Sequence, residues 1–280
     1  MRPRAIDSSY GNLAESGGSV ASEGPPRAPR SRAYWRDAIA GVLLSLVARE
    51  NAMARHVITV ARDVLAATRA ASDAFRAART AAGTFVVNVL SSPGSGKTSL
   101  LQATARHWAG RFRVAVLVGD LATDRDAQRL APWVDVVQMT TGGACHLEIP
   151  LVEKAFARLP ESPWDFLFIE NVGNLVCPAS HDLGEHWRAV LVSVTEGDDK
   201  PAKYPKMFRG SQTLVVSKID LLPHVPFSVE AVAQDARSIQ PDLAVLPVSA
   251  LHGDGIAAWC EHLESARAKR LGISKSAVLP

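Results

Sequence analysis

The chain has 280 residues, 47% of them hydrophobic, which is enough for the core of one domain of ordinary size with extensions. Its 31 basic and 28 acidic residues leave a net charge of +3, a near-balance that disfavours nucleic acid or an anionic membrane as the main partner. The odd count of three cysteines gives no disulfide framework, and the longest apolar run, Ile39 to Ala48, is too short for a membrane span, so we expect a soluble, cytoplasmic protein.

The N-terminal part of the chain falls into two segments. Residues 1–30 are rich in Arg, Gly, Ser and Pro, which predicts a disordered tail. Residues 31–82 have a helical pattern, because apolar side chains recur at three- and four-residue steps. We expect two helices, divided near Glu50–Asn51, that pack on the following domain and stabilise it.

Short apolar runs alternate with helix-length stretches over residues 83–268, which we assign to one domain, and residues 269–280 form a C-terminal tail. Alternating strands and helices predict an α/β fold with a mostly parallel sheet, and continuous apolar runs fit strands that are covered by helices on both faces. With the phosphate loop described next, this is the P-loop NTPase class. The predicted strands are Thr84–Leu90, Val114–Val118, Val134–Gln138, Phe166–Ile169, Ala189–Val194, Thr213–Val216 and Leu243–Val248.

The strand that ends at Leu90 runs into the sequence SSPGSGKT, residues Ser91–Thr98, and a helical pattern begins at once. Strand, glycine-rich loop and helix in this order predict a phosphate-binding loop, where backbone N–H groups and the helix N-terminus hold phosphate oxygens. Ser91 replaces the first glycine of the usual pattern, so the literal match fails by one residue. The residues expected to contact the nucleotide here are Pro93, Gly94, Ser95, Gly96, Lys97, Thr98 and Ser99.

Two carboxylates, Asp120 and Glu170, follow predicted strands and should lie at the carboxyl edge of the sheet, where ligands bind in open α/β folds. Mg²⁺ prefers oxygen ligands, so we predict that Thr98, Asp120 and Glu170 hold it. With Lys97, which would neutralise the outer phosphates, these are the predicted catalytic residues. Gly173 ends an acid-x-x-Gly pattern that would bring a backbone N–H to the terminal phosphate. A helix cap or a solvated strand end is the alternative for each carboxylate.

The sequence Ser217-Lys218-Ile219-Asp220 resembles the guanine-selecting motif of GTPases, with Ser in place of Asn. The Asp220 carboxylate can accept hydrogen bonds from the ring N–H and exocyclic amine of guanine, a pair that adenine does not offer. Lys218 would lie over the base, and Ser249 and Ala250 would close the pocket. A surface Lys–Asp pair is the alternative.

Cys145-His146 follows the glycine-containing turn at residues 140–144, and Cys177 follows the segment that begins at Glu170. Two thiols with an imidazole suit Zn²⁺ or Ni²⁺. Spacing alone favours two small buried thiols and a histidine at a helix start. His181 and His186 follow Cys177 and either might complete a ligand shell, but solvated histidines are the simpler interpretation for both.

Taken together and in order, these motifs resemble the HypB family, the nickel-incorporation GTPases of [NiFe]-hydrogenase maturation. The resemblance covers roughly residues 45–265, and Ser91 is common in that family. The segments that carry it are Asn88–Thr98, Gly119–Ala127, Thr141–Glu148, Glu170–Pro178, Ser193–Pro201 and Lys203–Pro205.

The resemblance implies a slow GTPase that forms a homodimer with GTP bound and delivers nickel to the hydrogenase large subunit alongside a companion nickel-maturation protein. It implies a nickel or zinc site at the dimer interface, made by Cys145, His146 and Cys177. Because Glu170 and Cys177 share one loop, loss of the terminal phosphate could move a metal ligand. Lys200 and Lys203 could supply charge across the interface.

The sequence departs from the family pattern in three ways. Residues 1–30 contain no Cys or His, so the N-terminal nickel-binding cysteine cluster of many relatives is absent. Histidine-rich storage tracts are absent too. His181 stands where relatives usually have Phe, and Glu148 where they usually have Asp, which makes His181 a candidate fourth ligand.

Three other interpretations compete with this one. A urease-type nickel GTPase would carry a Cys-Pro-His order, whereas Cys177-Pro178 follows Cys145-His146 here. A scaffold that binds nucleotide and metal without hydrolysis would act only by docking a partner. An ATP-using kinase is opposed by Asp220.

Overall fold

The computed structural model describes residues 32–120 and 125–273. The predicted N-terminal tail, residues 1–30, lies outside the described residues, as do residues 274–280 of the predicted C-terminal tail. By internal contacts the chain forms two compact units, one up to Thr59 and one from Val60 onward.

The predicted helical segment is confirmed, but as one helix rather than two: α1 runs without interruption from Arg32 to Ala81. The predicted division at Glu50–Asn51 is wrong. Neither Pro nor Gly occurs near these residues, and an Asn in a helix interior costs only about 0.7 kcal/mol relative to Ala, too little to end a helix. In the described part of the chain, no helix is long and apolar enough to cross a membrane.

The last turns of α1 pack on the domain. Phe75 is buried and meets the ring of Phe156 edge-on at 5.7 Å. The Ser72 hydroxyl donates to the carbonyl of Asp182 at 2.7 Å. Upstream in the same unit, the apolar side chains of Val64 and Leu65 are exposed.

The sheet has seven strands, all parallel, in the order β3-β2-β4-β1-β5-β6-β7. Each predicted strand is present. The strand that leads into the phosphate loop is central, between the strand that carries Glu170 and β5, so the loop emerges where the chain order reverses along the sheet. The strands are β1 Phe85–Ser91, β2 Val114–Asp120, β3 Asp135–Thr140, β4 Phe166–Gly173, β5 Trp187–Ser193, β6 Thr213–Ser217 and β7 Ala244–Val248.

Helices cover both faces of the sheet. Alternate residues of β1 show this. Phe85, Val87 and Val89 pack with Trp108 and Trp259 in the hydrophobic core on one face of the sheet. Residues 86 and 90 each pack in a separate hydrophobic cluster on the other face. Continuous apolar strands are therefore required, as predicted. The remaining helices are α2 Lys97–His107, α3 Arg125–Leu130, α4 Ile149–Phe156, α5 Lys200–Lys203, α6 Pro205–Arg209, α7 Val229–Ile239 and α8 Ile256–Leu271, with 3₁₀ turns at Cys177–Ser180, Val194–Glu196 and Ile219–His224.

Candidate nucleotide and metal sites

The loop between β1 and α2 has the shape of a phosphate cradle. Gly94 and Gly96 have φ angles of 77° and 95°, a region that favours glycine, and α2 begins directly at Lys97. The Lys97 amine is buried and donates to the Ser91 hydroxyl at 3.0 Å. Burial lowers the pKa of Lys97, while the charge of Glu170 opposes that shift. Ser91, the departure from the usual pattern, thus holds the lysine in place.

Glu170 and Thr98 meet beside this cradle. The Thr98 hydroxyl donates to Oε1 of Glu170 at 2.8 Å, and Oε2 of Glu170 is buried with no hydrogen-bond partner among the described residues. Burial raises the pKa of Glu170 to about 7, despite the nearby charge of Lys97. A buried carboxylate oxygen that lacks a partner fits a hard cation such as Mg²⁺. Asp120 ends β2 at the same edge, half-buried, and close enough for its charge to act on Lys97.

The end of β4 lies against the phosphate loop. A Cβ atom on Gly173 would come within 2.8 Å of the Pro93 Cα, closer than any real side chain is found. Glycine is therefore required for this approach, which places the acid-x-x-Gly segment directly beside the phosphate-binding residues.

The guanine-motif residues meet the phosphate loop through two hydrogen bonds. The Ser217 hydroxyl donates to the Ser95 carbonyl at 2.6 Å, and the Lys218 amine donates to the Gly94 carbonyl at 2.7 Å. Ser217 therefore supplies a brace although it replaces the usual Asn. Lys218 has a φ of 60°, the one positive value of a non-glycine residue in the described chain.

Asp220 is oriented by the loop after β7. Its Oδ1 accepts a hydrogen bond from the Ser249 hydroxyl at 2.6 Å. Asp220 and Ala250 line a cavity of about 480 Å³ together with Ser95, Gly96 and Lys218. A cavity of this volume is in the range that takes a nucleotide. All the predicted base-pocket residues are therefore brought to one place.

The two thiols and two of the imidazoles also lie together, on the loops after β3 and β4. Sγ of Cys145 is 2.9 Å from Sγ of Cys177 and 3.7 Å from Nδ1 of His146. The rings of His146 and His181 stack with centroids 3.8 Å apart. His181 follows the 3₁₀ turn that begins at Cys177, and it is half-buried rather than solvated because its ring stacks on that of His146.

This donor set suits Zn²⁺ or Ni²⁺, but its spacing is not that of a finished site. Two thiolates on one tetrahedral ion lie about 3.8 Å apart, given metal–sulfur bonds of about 2.3 Å, whereas Cys145 and Cys177 are closer. Within the ranges that the structure describes, no three His, Cys, Asp or Glu side chains are already arranged to hold a metal. Tetrahedral binding of one ion, as for Zn²⁺, would require the sulfurs to separate by about 1 Å.

His186 is not part of this cluster, and the expectation of a solvated histidine is wrong for it. Its ring is buried, Nδ1 accepts from the Val86 N–H at 2.9 Å, and Nε2 is 2.8 Å from the Thr80 hydroxyl. Burial lowers the pKa of His186 to about 4. His186 therefore ties the end of α1 to β1 and has a structural role.

Comparison with known proteins decides the family. The model of the CobW/HypB/UreG nucleotide-binding domain matches residues 85–247. The hydrogenase maturation factor HypB of Azotobacter vinelandii is 46% identical over 216 residues, which covers 77% of this chain and 71% of that protein. The chain belongs to the HypB family. A Helicobacter hepaticus relative, 44% identical over 67% of this chain and 78% of its own length, carries the name hydrogenase/urease maturation factor HypB.

Solved HypB structures agree with this fold. The Helicobacter pylori HypB structure in complex with nickel superposes with a TM-score of 0.70 at 37% identity, covering 73% of this chain and 96% of that one. HypB from Archaeoglobus fulgidus gives a TM-score of 0.67 at 33% identity, covering 72% and 99%. The P-loop architecture predicted from the sequence is therefore confirmed.

Two residues at the nucleotide site of this HypB-family chain had no role in the sequence prediction. Arg129 lines the cavity and donates to the Ser99 hydroxyl at 3.1 Å. Glu196 accepts a hydrogen bond from the Ser95 hydroxyl. Each comes from an element distant in sequence, so only the packing reveals the contact. No local pattern marks Arg129, and Glu196 was visible only within the family segment Ser193–Pro201.

The lysines assigned to the dimer interface by resemblance are engaged within their own loop. Lys203 pairs with Asp199, and the Lys200 amine lies 4.0 Å from Glu196. A role across an interface would require these pairs to open, which for the exposed Lys203–Asp199 pair costs little because surface ion pairs contribute at most about 1 kcal/mol.

Proposed function

We propose that this HypB-family protein is a cytoplasmic, GTP-hydrolysing metallochaperone that helps insert nickel into [NiFe]-hydrogenase during maturation. The observation that carries the proposal is the single segment that leaves β4. At its start, Glu170 accepts a hydrogen bond from the Thr98 hydroxyl at the phosphate loop. The segment then continues to Cys177, whose Sγ is 2.9 Å from Sγ of Cys145. A change at the nucleotide therefore has a short covalent route to the thiols.

On the nucleotide side, each residue has a specific role. Lys97 would neutralise the outer phosphates, and Thr98, Asp120 and Glu170 would hold Mg²⁺, which would supply charge to offset that of the phosphates. The Asp220 carboxylate, fixed by Ser249, selects guanine. These roles are charge stabilisation and positioning, so we expect slow hydrolysis in the absence of a partner.

On the metal side, Cys145, His146 and Cys177 bind nickel as cargo, with Zn²⁺ as the competing ion. GTP binding favours a homodimer in which these residues face each other. The hydrogenase large subunit and a companion nickel-maturation protein are the partners for delivery. Gly173 lies beside the phosphate loop at Pro93, where its N–H would meet the terminal phosphate, so loss of that phosphate would change the position of Gly173 and, through the connected segment, that of Cys177 relative to Cys145.

Nucleotide selectivity is the direct test of the enzymatic half. Purified protein should hydrolyse GTP at least a hundredfold faster than ATP at equal concentration, and Lys97→Ala should abolish the activity. Asp220→Asn should lose most of its GDP affinity and gain affinity for xanthosine diphosphate, because the Asn amide donates to the second carbonyl of xanthine. Equal use of GTP and ATP would refute the assignment of Asp220. Bound nucleotide without any turnover would favour the scaffold.

Delivery is tested with radioactive nickel and an apo-hydrogenase large subunit as acceptor. Transfer should depend on GTP hydrolysis, with Cys145→Ser and Cys177→Ser as variants that fail to load. Because a Helicobacter relative is named for both hydrogenase and urease maturation, apo-urease serves as the second acceptor. Transfer to urease alone would replace hydrogenase by urease in the proposal.

A further inference from the structure

The stacked histidines restrict what His181 can do. Its Nδ1 lies 2.9 Å from the Cys177 carbonyl, which can only accept, so Nδ1 carries the proton and donates. The second ring nitrogen, Nε2, has its lone pair in the plane of the ring. His181 therefore has a nitrogen that is chemically able to bind a metal, and its geometry decides whether it does.

The ring planes rule out shared ligation in this arrangement. A metal lies in the plane of an imidazole that binds it, about 2.1 Å from the nitrogen. The ring centroids of His146 and His181 are 3.8 Å apart, and the ring planes are inclined to each other by 21°. The two planes therefore intersect about 10 Å from the rings, far beyond bonding distance. One ion cannot lie in both planes at bonding distance. His146 is the ring beside the sulfurs, with Nδ1 3.7 Å from Sγ of Cys145.

Two hydrogen bonds hold His181 in position. Its carbonyl accepts a hydrogen bond from Nη2 of Arg188 at 2.6 Å. Together with the bond to the Cys177 carbonyl, this fixes the ring to the turn that carries one thiol, while its face lies on the histidine next to the other thiol. The ring thus joins the two loops that supply the metal site.

We propose that His181 is a positioning residue of the metal site. Its flat ring stacks on His146, orients that histidine, and holds the loop of Cys145 in a fixed position relative to the turn of Cys177. The inference rests on the proposed metal site. It assigns the ring face of His181, rather than its nitrogen, as the functional part, in place of the fourth-ligand role that the sequence suggested.

The test compares His181→Phe with His181→Ala in the full-length chain. Phe keeps the aromatic face and removes both nitrogens, whereas Ala removes the face as well. The affinities for Ni²⁺ and Zn²⁺ are measured by competition with a chromophoric chelator, and the Co²⁺-loaded protein reports the donor set through its thiolate charge-transfer and ligand-field bands. His107→Ala removes an exposed histidine at the far end of α2 and controls for adventitious binding. Thermal unfolding and GDP affinity show that each variant is folded.

We expect His181→Phe to bind Ni²⁺ within about threefold of the wild type, with unchanged Co²⁺ bands, and His181→Ala to bind ten- to a hundredfold more weakly, the usual effect of losing a residue that orients a ligand. If both variants bound Ni²⁺ weakly and both showed shifted Co²⁺ bands, the nitrogen of His181 would be a metal ligand and the inference would be overturned. An Ala variant equal to the wild type would overturn it as well, while leaving the site at Cys145, His146 and Cys177 intact. A wild type without metal affinity would refute both proposals.

Discussion

Replacing Glu170 by Gln should stabilise the nucleotide-free protein, and increasingly so as the pH rises. Burial raises the pKa of Glu170 to about 7 from an ordinary value of 4.5, so the folded state keeps a proton that the unfolded chain releases between these values. The contribution of Glu170 to wild-type stability therefore falls as the pH rises from about 4.5 through 7. Between pH 5.5 and pH 8 this loss is about 2 kcal/mol. Gln does not titrate, and it can still accept from the Thr98 hydroxyl.

Urea unfolding, followed by tryptophan fluorescence in EDTA without nucleotide, measures the difference. The stability advantage of Glu170→Gln over the wild type should grow by about 2 kcal/mol between the two pH values. Glu153→Gln, which removes an exposed carboxylate on α4, should show a constant difference. Addition of Mg²⁺ and GDP should reverse the order, because only the wild type gains the cation ligand. A gap that is the same at both pH values, or that narrows at pH 8, would refute the reasoning about Glu170.

Three further predictions follow from single contacts. Arg129→Ala should weaken GDP affinity about tenfold in a fluorescent-nucleotide titration, since a charge-assisted contact is worth about 1.5–3 kcal/mol at most. Arg125→Ala on the same helix should leave GDP affinity unchanged. Equal losses of affinity in the two variants would show that Arg129 makes no specific contact with the nucleotide. Gly173→Ala should fold but bind GTP poorly, because the added Cβ would collide with Pro93. A GTP affinity equal to that of the wild type would show that the end of β4 and the phosphate loop can separate freely. His186 should contribute a loss of wild-type stability as the pH drops from about 6.5 towards 4, since burial holds the pKa of His186 near 4 and only the unfolded chain takes up the proton, an effect opposite in sign to that of Glu170 over the same range. The thermal midpoint of His186→Asn should be lower than that of the wild type above pH 6.5 and the gap should narrow as the pH falls, and a gap that does not change with pH would contradict this.

The strands and the nucleotide motifs could be predicted because their signals are local. A strand covered on both faces must be apolar at every position, as in Phe85–Leu90, and this pattern is readable without knowledge of its neighbours. The phosphate loop and the Lys218–Asp220 motif likewise carry their chemistry in consecutive residues, whose backbone geometry sets the distances. Even so, the brace by Ser217 and the hold of Ser91 on Lys97 became visible only in the structure.

Contacts between distant elements could not be predicted in this way. Arg129 reaches the nucleotide cavity from a helix thirty residues beyond Ser99, and nothing in its sequence surroundings marks that contact. Spacing alone favoured solvated rings for His181 and His186, because exposure depends on which helix or strand covers a loop. The absence of a helix break near Asn51 is the opposite case, where a weak local preference was given more weight than it carries.

The central claim is that the nucleotide state sets the state of the thiol site through the segment from Glu170 to Cys177. The most direct measurement is the nickel affinity of the full-length protein at saturating GDP and at saturating non-hydrolysable GTP analogue, both with Mg²⁺. The account predicts affinities that differ by at least fivefold, a coupling of about 1 kcal/mol or more, and a difference that disappears in Glu170→Gln. Equal nickel affinity in the two nucleotide states would contradict it.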